Sequence, residues 1–133
     1  MRWGLAYSIY TIYDAAAYSS VFTESGKRSI REIFSTLADE RSYPVYLHGA
    51  EGSDRTGTVC CLLEAALGAS KEDIIREYVL SDPYEAAGME ETASAFLAEL
   101  DDYEGGTLQE RAESFLRSCG VTADELASIR RIL

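Results

Sequence analysis

The sequence predicts a helix-rich α/β fold with one clear central strand and an incomplete sheet. Apolar residues recur at helical spacing in several segments. One short apolar run, residues 45–47, lies between a proline and glycines. A glycine-containing segment then joins that run to a second apolar stretch. The chain has 133 residues, which is enough for one domain with a modest core, so we expect a single domain over 1–133.

The first predicted helix extends from Lys27 to about Asp39. Thr23 to Gly26 has the composition of a helix start, and Ser42-Tyr43-Pro44 ends the pattern. The predicted inner face is apolar at helical spacing and consists of Ile30, Ile33, Phe34 and Leu37.

The central strand is predicted at Val45-Tyr46-Leu47, because strand-forming residues there are bounded by Pro44 and by glycines. Gly49 to Gly57 is predicted as a loop. Thr58 to Leu67 is apolar nearly all round, which indicates a buried helix that ends at Gly68.

Further helices are predicted in the last half of the chain. Ser70 to Asp73 has the pattern of a capping box and opens a helix that Asp82-Pro83 closes. Its inner face would consist of Ile74, Ile75, Tyr78 and Val79. Two or three more helices follow, at about 85–103, 107–118 and 122–132, the last with a capping box at Thr122 and Glu125.

Charge and composition exclude several functional classes. The net charge is −11, and such an acidic surface repels a phosphate backbone, so we expect no nucleic-acid partner. No apolar run is long enough to span a bilayer, and the N-terminus has no smooth apolar segment of the kind found in signal peptides. We therefore expect no membrane span.

Cysteine and histidine usage limits the redox environment and the metal chemistry. The three cysteines, Cys60, Cys61 and Cys119, are odd in number, and adjacent cysteines rarely bridge, so a reducing, cytoplasmic location is expected. His48 is the single histidine, and no pair of cysteines has zinc-ligand spacing. We expect neither a metal site nor a cofactor.

The segment between strand and second helix has the chemistry of an anion site. A strand, a glycine-containing loop and a helix in this order bring backbone amides and the positive end of a helix dipole together. Gly52 lets the loop curl, and the guanidinium of Arg55 can bind two oxygens of one phosphate.

His48-Gly-Ala-Glu-Gly-Ser-Asp-Arg55-Thr-Gly57 resembles the signature of cysteine-dependent phosphatases, in which His-Cys is followed by five residues, arginine and serine or threonine. The ending Asp-Arg-Thr-Gly is similar to that of the bacterial tyrosine phosphatase family. The resemblance covers the chain from about residue 18 to the end. Its supporting segments are Arg31 to Ala38, Leu67 to Ser81, and Ser114 to Leu133.

The resemblance implies a role for each loop position. Position 49 would carry the nucleophile, Arg55 would stabilise the equatorial oxygens of the transition state, and Thr56 would assist hydrolysis of the intermediate. Asp54 would be the general acid, although capping of the helix start explains it equally well. His48 would support the loop. The phosphate-binding positions would be Gly49, Ala50, Glu51, Gly52, Ser53, Asp54 and Arg55.

Gly49 is the main departure from the family pattern, because glycine has no side chain with which to attack phosphorus. Loss of a covalent nucleophile costs on the order of 10⁴-fold in rate or more. Three interpretations stay open: a natural pseudophosphatase, an engineered inactive variant and a sequence error. Cys60 and Cys61 as relocated nucleophiles are disfavoured, since thiols on apolar helices usually serve packing.

Two other departures concern substrate and completeness. Many relatives carry lysine at the position of Ser53, and the family's N-terminal half, with several strands, has no counterpart here. The chain is therefore expected to be a C-terminal portion or a reduced version of the family's domain.

The resulting expectation is a protein that binds a phosphate monoester, of the phosphotyrosine type on a protein or peptide, and hydrolyses it negligibly. Phosphoserine, phosphothreonine and lipid phosphate stay open as substrates. The alternatives are an active phosphatase whose cysteine at position 49 was mutated or misread, and a helical interaction module or inert fragment.

Overall fold

The computed structural model describes residues 7–8, 21–43, 47–48, 53–80 and 83–133; of residues 7–8, 47–48, 53–56 and 83 it describes the backbone. These ranges contain six α-helices and two strands of two residues each. The strands are β1 (Tyr7–Ser8) and β2 (Leu47–His48). The helices are α1 (Glu24–Ala38), α2 (Ser53–Ala66), α3 (Lys71–Leu80), α4 (Ala86–Glu99), α5 (Leu108–Ser118) and α6 (Ala123–Ile132).

The predicted α/β class is wrong. In the described ranges, β1 and β2 pair in parallel over two residues, with Tyr7 opposite Leu47 and Ser8 opposite His48. Val45 and Tyr46, the rest of the predicted central strand, lie outside the described residues. A strand becomes the centre of a sheet when neighbours on both sides satisfy its backbone groups. In the described residues, apolar helix faces pack against one another instead, and the fold there is a helical assembly.

Helix α1 begins three residues before its predicted start. The Oγ1 atom of Thr23 accepts a hydrogen bond from the amide of Gly26 at 3.1 Å and so caps the helix. The predicted inner face of this helix is confirmed, because all four of its members are buried: Ile30, Ile33, Phe34 and Leu37.

Helix α2 lies at the centre of the described assembly and contacts α3, α4 and α5. Its side chains Val59, Leu62 and Ala65 are fully buried, as the apolar sequence of this segment predicts. The helix ends in a Schellman turn at Gly68, where φ is 96°. The amide of Ala69 donates to the carbonyl of Glu64 at 3.0 Å, and the amide of Gly68 donates to that of Ala65 at 3.0 Å.

The caps of the later helices agree with the sequence patterns. Ser70 Oγ accepts a hydrogen bond from the amide of Asp73 at 3.1 Å before α3. Before α6, Thr122 Oγ1 accepts from the amide of Glu125 at 3.1 Å, while a carboxylate oxygen of Glu125 accepts from the amide of Thr122 at 2.9 Å. This reciprocal pair is the predicted capping box.

An aromatic cluster joins α4 and α5 to the segment before α1. The ring centroid of Phe22 lies 4.9 Å from that of Phe115 and 5.8 Å from that of Phe96. Tyr103 packs edge-on against Phe115 at 5.2 Å. These contacts are of the tilted and edge-on kinds that aromatic pairs prefer.

Candidate functional site

The chain passes from β2 to α2 at the segment that carries the predicted anion-site residues. His48 is the last residue of β2, and Ser53 is the first residue of α2. Gly49, Ala50, Glu51 and Gly52, which were predicted as phosphate-binding positions, lie outside the described residues.

The predicted end of the loop at Gly57 is wrong, because α2 already begins at Ser53. The predicted residues Ser53, Asp54, Arg55 and Thr56 therefore form the first turn of α2. In an α-helix the first amides have no acceptor within the helix, and they carry the positive end of its dipole. The amides of Ser53, Asp54 and Arg55 are in this position.

Gly57 follows that turn and packs directly against α3. A Cβ atom built on Gly57 would lie 2.9 Å from Cδ2 of Tyr78 and closer still to Cε2, far inside normal contact distance. Tyr78 is 5% exposed. Sequence reasoning placed Tyr78 on an inner helix face and Gly57 in a loop, and it missed that the two residues touch.

The three thiols of the chain lack the features of a nucleophile. Burial, and then the nearby Glu64 carboxylate, raise the pKa of Cys61 to about 12. Burial also raises the pKa of Cys60, with contributions from Glu64 and Glu77, and it raises the pKa of Cys119 to about 11. All three are therefore neutral thiols at pH 7, whereas the thiolate is the reactive form.

Cys60, the thiol nearest to the start of α2 in sequence, is also too far from it to act as the nucleophile there. Cys60 lies seven residues after the first residue of α2, which is about 10 Å along a helix axis. The expectation that Cys60 and Cys61 serve packing agrees with the burial of Cys61, the partial burial of Cys60 and the raised pKa of both thiols.

A pair of carboxylates lies farther along the α2–α3 contact. Burial raises the pKa of Glu64 on α2 to about 7, and the negative charge of Glu77 on α3 adds to the shift. Glu64 is nine residues after Arg55, which places it between two and three helical turns beyond the first-turn amides. Its charge therefore lies away from the predicted anion site.

Within the described ranges, no helix combines the length and the apolar character that crossing a membrane requires. No group of three or more histidine, cysteine, aspartate or glutamate side chains in the same ranges could hold a metal ion.

Comparison with known proteins gives one match. The family model described as "Tyrosine phosphatase family" matches residues 11–133, which include the first turn of α2 and all six helices. No curated protein and no solved structure shows significant similarity to the chain. Because the match covers most of the 133 residues, the chain belongs to the tyrosine phosphatase family.

Proposed function

We propose that the chain binds phosphate monoesters of the phosphotyrosine type at the N-terminal end of α2 and hydrolyses them negligibly. One observation carries the proposal: the family match includes the segment from His48 to Gly57, in which glycine occupies position 49. Family membership supports the phosphorylated substrate, and the missing thiol supports the lack of turnover.

Binding depends on groups at the helix start. The amides of Ser53, Asp54 and Arg55 supply hydrogen-bond donors without an intrahelical acceptor, and the helix dipole favours an anion there. The guanidinium of Arg55 would form two parallel hydrogen bonds to one phosphate. The backbone of Gly49, Ala50, Glu51 and Gly52 would complete the cradle, with His48 as support.

Hydrolysis needs more than binding. In the cysteine-dependent mechanism a thiolate attacks phosphorus, the bond to the leaving oxygen breaks, and an acid protonates that oxygen. Asp54 would be the acid, and Thr56 would assist hydrolysis of the phosphocysteine. Gly49 supplies no attacking atom, so neither intermediate nor product forms at a useful rate. The protein would then act as a pseudophosphatase.

The branch of the family, the cellular compartment and the substrate class are also part of the proposal. The Asp-Arg-Thr-Gly ending supports the bacterial branch of the family. Three free cysteines in the described residues support a reducing compartment, for which the cytoplasm is our choice. The substrate would be a phosphotyrosine protein or peptide.

A second candidate is a helical interaction module that keeps the segment for structure alone. The helical assembly of the described residues favours it, because a sheet that supports a phosphate loop is not among them. This candidate predicts no stabilisation by phosphate analogues. Any ligand that binds the native state must raise the stability of that state.

Tungstate, a tetrahedral phosphate analogue, separates the two candidates. We expect tungstate to raise the melting temperature of the unchanged chain, and Arg55→Ala to abolish the rise. Arg76→Ala is the matched control, because Arg76 is an exposed arginine on α3 that pairs with Asp73 at 3.0 Å. It should keep the full response. Tungstate affinity that is equal in Arg55→Ala and in the unchanged chain would refute phosphate binding by Arg55.

A further inference from the structure

The contact between α3 and the beginning of α2 assigns a role to Tyr78. We infer that Tyr78 is a positioning residue, whose ring fixes where the first turn of α2 lies and so where its amides and Arg55 meet a phosphate. The inference rests on the proposed function and deepens it, because it concerns the same site.

The space beside Gly57 is filled by the ring. The three atoms nearest to a Cβ on Gly57 all belong to Tyr78: Cε2 is the nearest, Cδ2 lies at 2.9 Å and Cζ at 3.3 Å. The backbone of α2 therefore approaches the ring as closely as a residue without a side chain allows. Glycine inside a helix is destabilising relative to alanine, and this contact explains its presence.

The ring has little freedom to withdraw. Tyr78 is 5% exposed, so the protein surrounds the ring almost completely. Helix α3 also packs against α4, so the ring is backed by the core. A methyl group at position 57 would therefore displace the helix start rather than the ring. Ordinary contact would require a shift of about 1 Å, and misplacement of this size can cost an active site up to about 10²-fold in rate.

Only one residue, Thr56, separates Gly57 from Arg55 in the first turns of α2. A shift at Gly57 therefore moves the amides of Ser53 and Asp54 and the origin of the Arg55 side chain together. A contact that merely stabilises the fold would lower the melting temperature but leave the anion affinity of the folded protein unchanged. Affinity is thus the quantity that distinguishes positioning from packing.

The experiment is a double-mutant cycle with tungstate affinity measured by calorimetry, at a temperature at which each variant is folded. We expect Gly57→Ala to weaken tungstate binding about 10-fold or more. In the Tyr78→Leu background the ring is gone, so the same Gly57→Ala change should have no further effect on affinity. Tyr78→Leu alone should weaken binding, and Tyr78→Phe, which keeps the ring, should weaken it less than Tyr78→Leu does.

Ile74→Ala is the matched control, since it removes a buried side chain from the same helix. It should lower the melting temperature and leave tungstate affinity within about twofold of the unchanged chain, because it keeps the ring of Tyr78 beside Gly57. If Gly57→Ala does not fold, the comparison of Tyr78→Leu with Tyr78→Phe and Ile74→Ala still decides the question.

The outcomes separate the two proposals. If the unchanged chain binds tungstate, and Gly57→Ala and Tyr78→Leu both bind it with the affinity of the unchanged chain, the positioning role alone is overturned. Absence of tungstate binding by the unchanged chain would overturn the proposed function and this inference with it.

Discussion

The two ends of α2 are held in different ways. At the C-terminal end, the carbonyl of Ala66 accepts hydrogen bonds from Gln109 Nε2 at 3.0 Å and from Arg130 Nη2 at 3.1 Å and Nε at 3.3 Å. Near the N-terminal end, Gly57 packs against the ring of Tyr78. One end is hydrogen-bonded to side chains of α5 and α6, and the other rests against an aromatic ring of α3.

This difference shows how one helix can be fixed at its C-terminal end while the amides at its N-terminal end can bind a ligand. The carbonyls at a helix end carry partial negative charge, so the cationic Arg130 and the Schellman turn at Gly68 satisfy them. The amides at the opposite end need an anion or an acceptor of their own. A helix fixed at its C-terminal end can offer its N-terminal end to a ligand.

The largest effect is expected from breaking the C-terminal anchor. Arg130→Ala removes both hydrogen bonds from the guanidinium to Ala66 and the ion pair with Glu113. A hydrogen bond to a charged group contributes about 1.5–3 kcal/mol to stability. Urea unfolding should therefore show that Arg130→Ala lowers the free energy of unfolding by about 1.5–3 kcal/mol. Tungstate affinity of the folded variant should not change, because the site lies at the other end of α2.

Arg131 supplies the control for this prediction. Its side chain is 64% exposed, and it approaches Glu40 at 3.6 Å, a geometry that contributes little in water. Arg131→Ala should change the free energy of unfolding by less than about 0.5 kcal/mol. Equal losses in the two variants would contradict the anchoring role of Arg130.

Two glycines give effects of opposite sign. Gly68→Ala should lower stability by about 1 kcal/mol, because φ at this position is 96° and a side chain is strained there. Gly88→Ala should raise stability by about 0.5–1 kcal/mol, because Gly88 lies in α4 and an added Cβ would meet nothing within 4 Å. Denaturant unfolding measures both changes, and a shared sign would contradict the Schellman assignment.

The smallest effect concerns the carboxylate on the side of α2 that faces α3. The folded-state pKa of Glu64 is about 7, above its ordinary value of 4.5, so the native state binds more protons than the unfolded chain between these pH values. The stability that protonated Glu64 gives to the folded state is therefore fully present below about pH 4.5, and it is lost as pH rises through about 7. Glu77 on α3 and the thiol of Cys60 face this group.

Glu64→Gln should flatten this part of the stability curve, which thermal unfolding at several pH values between about 4 and 8 would measure. Glu72→Gln, a change at an exposed residue of α3, is the control and should keep the slope. An unchanged slope in Glu64→Gln would mean that another group governs stability in this range.

Local patterns in the sequence predicted the helices well. The inner face of α1 and the capping box of α6 are encoded within a few neighbouring residues, and both are present. Ser70 likewise marks the start of α3. Such signals need no knowledge of distant parts of the chain.

The errors arose where distant contacts decide the structure. The run at 45–47 has strand-forming residues, but a central strand needs partners elsewhere, and a two-residue ladder is what the described residues contain. Gly57 suggested a loop because glycine disfavours helix, whereas it lies in α2 and packs against Tyr78 from another helix. The hydrogen bond from Arg130 to the carbonyl of Ala66 joins residues 64 positions apart, and no local sequence pattern predicts it.

The most direct test of the central claim is hydrolysis of p-nitrophenyl phosphate by Gly49→Cys, with the unchanged chain and Gly49→Cys/Arg55→Ala measured alongside. The account predicts that only Gly49→Cys turns the substrate over, because in the proposal the phosphate site lacks just its nucleophile and Arg55 would stabilise the transition state. Absence of turnover in Gly49→Cys, or equal turnover in the unchanged chain, would contradict it.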